Sequence, residues 1–259
     1  MIGRALAGML LAGALAFGAR AARSLSTSGA IAALIVGTAA TIAGWSWAIV
    51  LITFFIASSV LSRYRRAARE ARIGQIVEKG DERDAIQVFA NGGLFAAAAL
   101  IATATGDPRW SAAALGALAA AAADTWATEI GTLARGLPRS IVSLKRLPAG
   151  TSGAITVPGT IASLAGAAAV TAVASLTGLG RWPLAIFVGG VTGSLADSVV
   201  GATIQERRWC DGCSQSTERR THGCGRETRI VGGVPGARND FVNVVCTIGG
   251  AIVAALLAR

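Results

Sequence analysis

The run Trp110-Ser-Ala-Ala-Ala-Leu-Gly-Ala-Leu-Ala-Ala-Ala-Ala-Ala-Asp-Thr-Trp-Ala-Thr-Glu-Ile-Gly131 decides the fold class. It is apolar over a length that can cross a hydrocarbon core of about 30 Å, which takes roughly 20 residues of helix. It also carries Asp124 and Glu129 where a bilayer tolerates charge poorly, so the same stretch points to a site. Similar apolar runs fill the rest of the chain. We read spans at 2–19, 28–43, 45–62, 85–105, 110–134, 154–178, 182–205 and 241–258. A single helix over 28–62 would be about 50 Å long, too long for one crossing. Gly44, followed by Trp45 and Trp47, is therefore read as a tight turn at the headgroup level. Eight spans result, and seven if the short pair is one element.

Composition agrees. Of 259 residues, 53% are hydrophobic and only 15% charged, and the mean hydropathy is +0.58. A soluble domain carries about a quarter charged residues, and a disordered chain is less apolar still. The 33 glycines and the abundant alanine suit backbones that approach closely in lipid. The expected class is an all-α polytopic membrane bundle, one transmembrane domain over 1–259. A cytoplasmic Cys/His loop, 206–238, is inserted before the last helix. The net charge of +10 does not suggest a nucleic-acid partner, because the basic residues sit in short gaps between apolar runs and there is one tyrosine. With eight spans, the gaps 20–27, 63–84, 135–150 and 206–238 share one side and hold 20 of the 24 Lys and Arg. The positive-inside rule makes that side cytoplasmic. The expected location is a bacterial inner membrane. Residues 1–22 resemble a signal peptide, but a polytopic chain can be inserted by its first span without removal, and the retained span is the preferred reading.

The buried acids show a pattern. Arg109-Trp110 opens one span, with Asp124 14 residues after the tryptophan; Arg181-Trp182 opens another, with Asp197 15 residues after. Each aspartate then lies about 16 Å from the cytoplasmic end at helical rise. Ala123-Asp124-Thr125 matches Ala196-Asp197-Ser198, a weak internal duplication of the kind that builds midplane sites. Gly193, Asp197 and Gly201 share a helix face, which leaves a groove for a ligand or a neighbouring helix. Glu129 is about 140° around the helix from Asp124, so convergence of the two requires a broken helix. The alternative is that each acid sits in a structural ion pair.

Other polar groups interrupt apolar sequence. Asn91-Gly92-Gly93, with Gln87 a turn earlier, is a packing notch or a ligand contact. Asn239, Asp240 and Asn243 gather at the start of the last span, where a helix N-terminus offers free amide donors; a simple N-cap accounts for one of them. Lys145 and Arg146 precede Gly150-Thr151-Ser152-Gly153, read as the opening of the next helix and a phosphate cradle. Cys210, Cys213, His222 and Cys224 supply three thiols and the single imidazole within 15 residues. Such a set fits structural zinc, with free or redox thiols as the alternative. Cys246, inside the last span, is read as core.

Taken together, these blocks resemble a family of integral membrane proteins long known by an unknown-function domain, which includes the plant phytyl-phosphate kinase and a human transmembrane relative. The resemblance runs over nearly the whole chain. It is carried by Gln87–Gly93, Asp124–Gly131, Pro148–Gly153, Gly193–Ser198 with Gly201–Thr203, the cysteine loop and Asn239–Asn243. The loop departs from the common form in lacking a proline after Cys210. The resemblance implies transfer of a phosphoryl group from a nucleoside triphosphate, CTP before ATP, to an isoprenyl monophosphate. It implies Mg²⁺ on Asp124, Asp197 and Asp240, Glu129 as ligand or base, and Lys145, Arg146 and Gly150–Gly153 on the triphosphate. Asn91, Asn239 and Asn243 would then bind phosphate or nucleotide. Membrane lipid is a further expected partner, and a homo-oligomer is compatible. Rival readings are a lipid-phosphate cytidylyltransferase, a lipid or anion transporter, and an assembly subunit without chemistry.

Overall fold

The computed structural model describes residues 2–73, 76 and 82–259. Lys79, one of the basic residues of the 63–84 gap, lies outside them. The helices among the described residues are α1 (Ile2–Ala21), α2 (Thr27–Ala43), α3 (Trp45–Arg63), α4 (Arg66–Ile73), α5 (Ala85–Thr105), α6 (Pro108–Gly131), α7 (Val157–Leu176), α8 (Pro183–Thr203) and α9 (Asn239–Leu257). Eight of them coincide with the expected spans, and α4 is an addition within the 63–84 gap. Six are long and apolar enough to cross a membrane: α1, α3, α5, α7, α8 and α9. Helix α2, at 17 residues, is shorter, and α6 lies inside the bundle. The protein is a polytopic helical membrane protein.

Helix α6 is the axle. Every residue from Ala112 to Ala123 is buried, because α7, α8 and α9 pack around it. Lipid gives helices no hydrophobic reason to associate, so close van der Waals contact must do it. Small residues permit that contact. A Cβ on Gly193 would lie 2.5 Å from Ala120 Cβ and 2.6 Å from the Cys246 carbonyl; one on Gly166 would lie 2.7 Å from the Ala122 carbonyl. The glycine face at Gly193 thus receives neighbouring helices, one of the two occupants expected of it. Cys246 is core, as read.

Gly44 makes the α2–α3 turn at φ +153°, a conformation L side chains rarely adopt. Trp45 is exposed there, but Trp47 points inward and meets Phe95 edge-on at 5.9 Å, which corrects its interfacial assignment. Helix α7 starts at Val157, later than expected. Strands β1 (Arg139–Ser140) and β2 (Ala154–Ile155) pair antiparallel just before it, and Thr156 caps it. In the 206–238 loop, β3 (Arg207–Cys210), β4 (Gln215–Thr217) and β5 (Arg229–Gly232) form a sheet in the order β4-β3-β5.

The four basic gaps meet at one end of the bundle. Arg63 donates to the Ala22 carbonyl and to Ser24 Oγ, and Arg72 donates to the Ala134 (2.5 Å) and Gly136 (2.8 Å) carbonyls. The Glu218 amide donates to the Ile76 carbonyl. The short connections meet at the other end, where Ser46 Oγ donates to the Thr177 carbonyl and Thr103 Oγ1 to the Ala43 carbonyl.

Candidate functional site

A cavity of about 560 Å³ opens at the loop-bearing end. Its floor is made by α6 and α8. Asp124 and Asp197 come from these two helices and meet within hydrogen-bond reach. Both are deeply placed, and Asp197 Oδ2 is buried with no hydrogen-bond partner among the described residues. Two carboxylates in contact need a shared proton or a cation between them. The local match seen in the sequence thus becomes a physical pair, made possible by the alanines and glycines that bring α6 and α8 together one and two turns deeper.

A second wall is the start of α9. Asn239, Asp240 and Asn243 all line the cavity. Arg238 is the residue before the helix and gives it no side-chain cap, so the simple N-cap alternative fails. Asn91, with Gln87, lines it from α5. The third wall is the turn Gly150–Gly153, all four residues of which contribute. This turn is not a helix start. Gly150 and Gly153 take φ of +85° and +72°, and Ser152 Oγ donates to the Glu218 carboxylate. A Cβ on Gly153 would lie 2.5 Å from the Ala202 amide nitrogen, so its smallness serves packing on α8.

Three expectations change. Glu129 also lines the cavity, without any break in α6. There it forms an ion pair with Arg69 of α4 and accepts a hydrogen bond from Ser62 Oγ at 2.7 Å. It stands in the structural ion pair considered as the alternative. Lys145 and Arg146 do not line the cavity. They sit exposed on the turn after β1, where the Lys145 carbonyl accepts from the Ser140 amide and Arg146 bridges to Arg139. The three aspartates do not form one compact ligand set. Among the described residues, the cysteine–histidine cluster is the single group of three or more close metal-ligating side chains, while Asp240 shares the cavity with the Asp124–Asp197 pair.

The sequence reading passed over the cations of this cavity: Arg69, Arg72, Arg83, Arg219 and Arg238. They had been read as topology signals alone, and the positive-inside pattern hides any arginine with a second role. Glu70 and Glu218 were missed as well. The lining holds five arginines and six carboxylates, so an anionic ligand meets no net positive field unless a metal cation comes with it.

Beside the cavity, the Sγ atoms of Cys210, Cys213 and Cys224 and a ring nitrogen of His222 lie within 4.8 Å of one another. Cys210 and Cys224 sulfurs are 3.7 Å apart, and His222 Nδ1 is 3.3 Å from Cys224 Sγ. His222 beside it draws the Cys224 thiol down to about 6, while the Cys224 sulfur pushes Cys213 up to about 11. Strand β4 leads from Cys213 to Glu218 and Arg219 on the cavity wall.

The family model for integral membrane protein DUF92 matches residues 10–251. The chain belongs to this family. It is 30% identical to Protein PGR of Arabidopsis thaliana, over 80% of this chain and 81% of the relative. An uncharacterized membrane protein of Methanocaldococcus jannaschii is 29% identical, over 98% and 94% respectively. One of Synechocystis is 30% identical over 63% and 65%. No solved structure matches the chain. The DUF92 match runs through every wall of the cavity, from α5 to the start of α9.

Proposed function

We propose that this DUF92 protein is a membrane-embedded kinase that moves a phosphoryl group from a nucleoside triphosphate, CTP in the first place, to an isoprenyl monophosphate. One observation carries the reading: a pair of carboxylates, Asp124 and Asp197, faces a cavity that also holds five arginines and the uncapped start of α9. Phosphoryl transfer asks for positioning and charge neutralisation, and little else.

The buried, unpartnered Asp197 oxygen beside Asp124 fits Mg²⁺, which binds through one or two carboxylates together with phosphate oxygens. Asp124 and Asp197 would hold it, with Asp240 close by; when bound, it neutralises charge on the transferring phosphate. An acceptor monophosphate oxygen attacks the γ-phosphorus, the bond from that phosphorus to the β,γ-bridging oxygen breaks, and the nucleoside diphosphate leaves. The acceptor already carries the oxyanion, so no general base is needed. Arginines such as Arg83 and Arg238, the amides of Asn91, Asn239 and Asn243, and the Gly150–Gly153 turn orient the phosphates. Cys210, Cys213, His222 and Cys224 would hold zinc, which would brace the loop that carries Glu218 and Arg219. The cavity end faces the cytoplasm, where nucleotide is found, in line with its share of the basic residues.

The test is incubation of purified protein with CTP or ATP, Mg²⁺ and a panel of prenyl monophosphates, with products weighed by mass spectrometry. The expected product is the prenyl diphosphate, reduced about 10²–10³-fold or more in Asp197→Asn. A CMP-linked lipid with pyrophosphate released would replace the kinase by a cytidylyltransferase. Unchanged turnover in Asp197→Asn would remove the carboxylate pair from the chemistry.

A further inference from the structure

A second space lies among α1, α2, α3 and α5, with a free volume of about 90 Å³. Its walls are apolar: Leu11 and Leu15 from α1, Ala33 and Val36 from α2, Leu51 and Phe55 from α3. The one hydroxyl deep in it, on Thr41, is satisfied by donating to the Gly37 carbonyl at 2.9 Å. Its remaining polar lining is Arg83, Gln87 and Asn91, and these same three residues line the large polar cavity. Gln87 and Asn91, four apart, share one face of α5, about 6 Å from one another at helical rise, and Arg83 stands just ahead of the N-cap Asp84, bridged to Leu25, so the three form one stripe at the start of the helix. On one side of the stripe are carboxylates and arginines; on the other there is hydrocarbon.

An aliphatic groove that ends on a guanidinium and two amides matches an amphiphile whose head is an anion and whose tail is a hydrocarbon chain. We infer that the α1–α2–α3–α5 groove receives the proximal part of the isoprenyl tail, with the phosphate at Arg83, Gln87 and Asn91. This deepens the kinase reading and rests on it for the identity of the head group. The glycine face of α8, by contrast, is occupied by α6 and α9. The free volume holds only the first units of a long chain, so the rest runs into the bilayer. The protein then discriminates at the head-proximal units and weakly beyond them.

The experiment uses the full chain in nanodiscs and geranylgeranyl monophosphate carrying a diazirine on its first isoprene unit, without nucleotide. After irradiation, the labelled peptides are mapped by mass spectrometry. The expected adducts fall on α2 and α3, around Ala33, Leu51 and Phe55. Ala33→Phe fills the groove and lowers labelling about tenfold, and Ala33→Ser does not. Labelling on α7, α8 or α9, or labelling indifferent to Ala33→Phe in a folded protein, overturns the inference. Should Ala33→Phe fail to fold, the adduct position in the unsubstituted chain decides alone. Turnover is read separately. Groove labelling without any diphosphate product keeps the groove and refutes the kinase; product formation with labels elsewhere does the reverse.

Discussion

Replacing Arg69 by methionine tests whether Glu129 is scaffold or chemistry. The two side chains are 7% and 14% exposed and form an ion pair, with Ser62 Oγ also donating to the carboxylate at 2.7 Å. Removing one partner of a buried pair costs about 3–5 kcal/mol, chiefly because the other charge is stranded. The Ser62 hydrogen bond survives the change and offsets about 1 kcal/mol of that. Arg69→Met is therefore expected to lose about 2–4 kcal/mol. In the double variant, Arg69→Met with Glu129→Met, no charge is stranded, and stability returns to within about 1 kcal/mol of the parent. The double variant also keeps its turnover, because Glu129 serves to hold α4 against α6. Reversible unfolding in mixed SDS micelles, arranged as a double-mutant cycle, measures the coupling. A single variant as stable as the parent, or a double variant no better than the single, would refute the structural assignment. A stable double variant that is catalytically dead would return Glu129 to the mechanism.

Cys210→Ser is expected to abolish stoichiometric zinc, read by elemental analysis, and to speed proteolysis within 206–238. A parent protein containing no metal would leave the thiols to redox chemistry. Lys145→Ala is expected to keep turnover within about threefold of the parent, as for a surface change away from structural features; a large loss would put this turn back on the nucleotide. Glu206 accepts a hydrogen bond from the Gly236 amide at 2.7 Å and pairs with Arg208 at 2.5 Å, which holds its carboxyl below the usual range. Its contribution is present above the unfolded value of about 4.3 and is lost as pH falls through the lower folded value. Amide protection in the 206–238 loop, taken relative to the intrinsic exchange rate at each pH, should therefore fall on acidification below about pH 4, and Glu206→Gln should flatten that dependence; an unchanged profile would contradict the role.

The spans were legible because hydrocarbon imposes one rule on every residue of a crossing helix: backbone groups bond internally and side chains are apolar. Boundaries were less so. Thr156 caps α7 only because Ala154 and Ile155 first pair with β1, a contact no local signal near 154 announces. Helix α4 was missed because it is short and basic, and its burial depends on Glu129, 60 residues away. At the site, the aspartates stood out as charges in apolar sequence. The arginines did not, since a topology rule already explained them. Lys145 and Arg146 were misplaced for the converse reason: glycines near a basic pair look like a phosphate loop wherever the chain turns.

The sequence by itself determined that this is a polytopic helical membrane protein, roughly where its apolar spans run, and which acids are out of place in them. Those are properties of single segments against a uniform solvent. Only the tertiary structure decided which polar groups share a space. It joined Asp124 to Asp197, turned Glu129 to Arg69, closed the glycine face of α8 with α6 and α9, and set an apolar groove against a polar cavity across Arg83, Gln87 and Asn91 at the start of α5. Such pairings depend on how closely helices approach and at what rotation. Those are fixed by small residues interlocking between helices far apart in the chain, which no segment read alone contains.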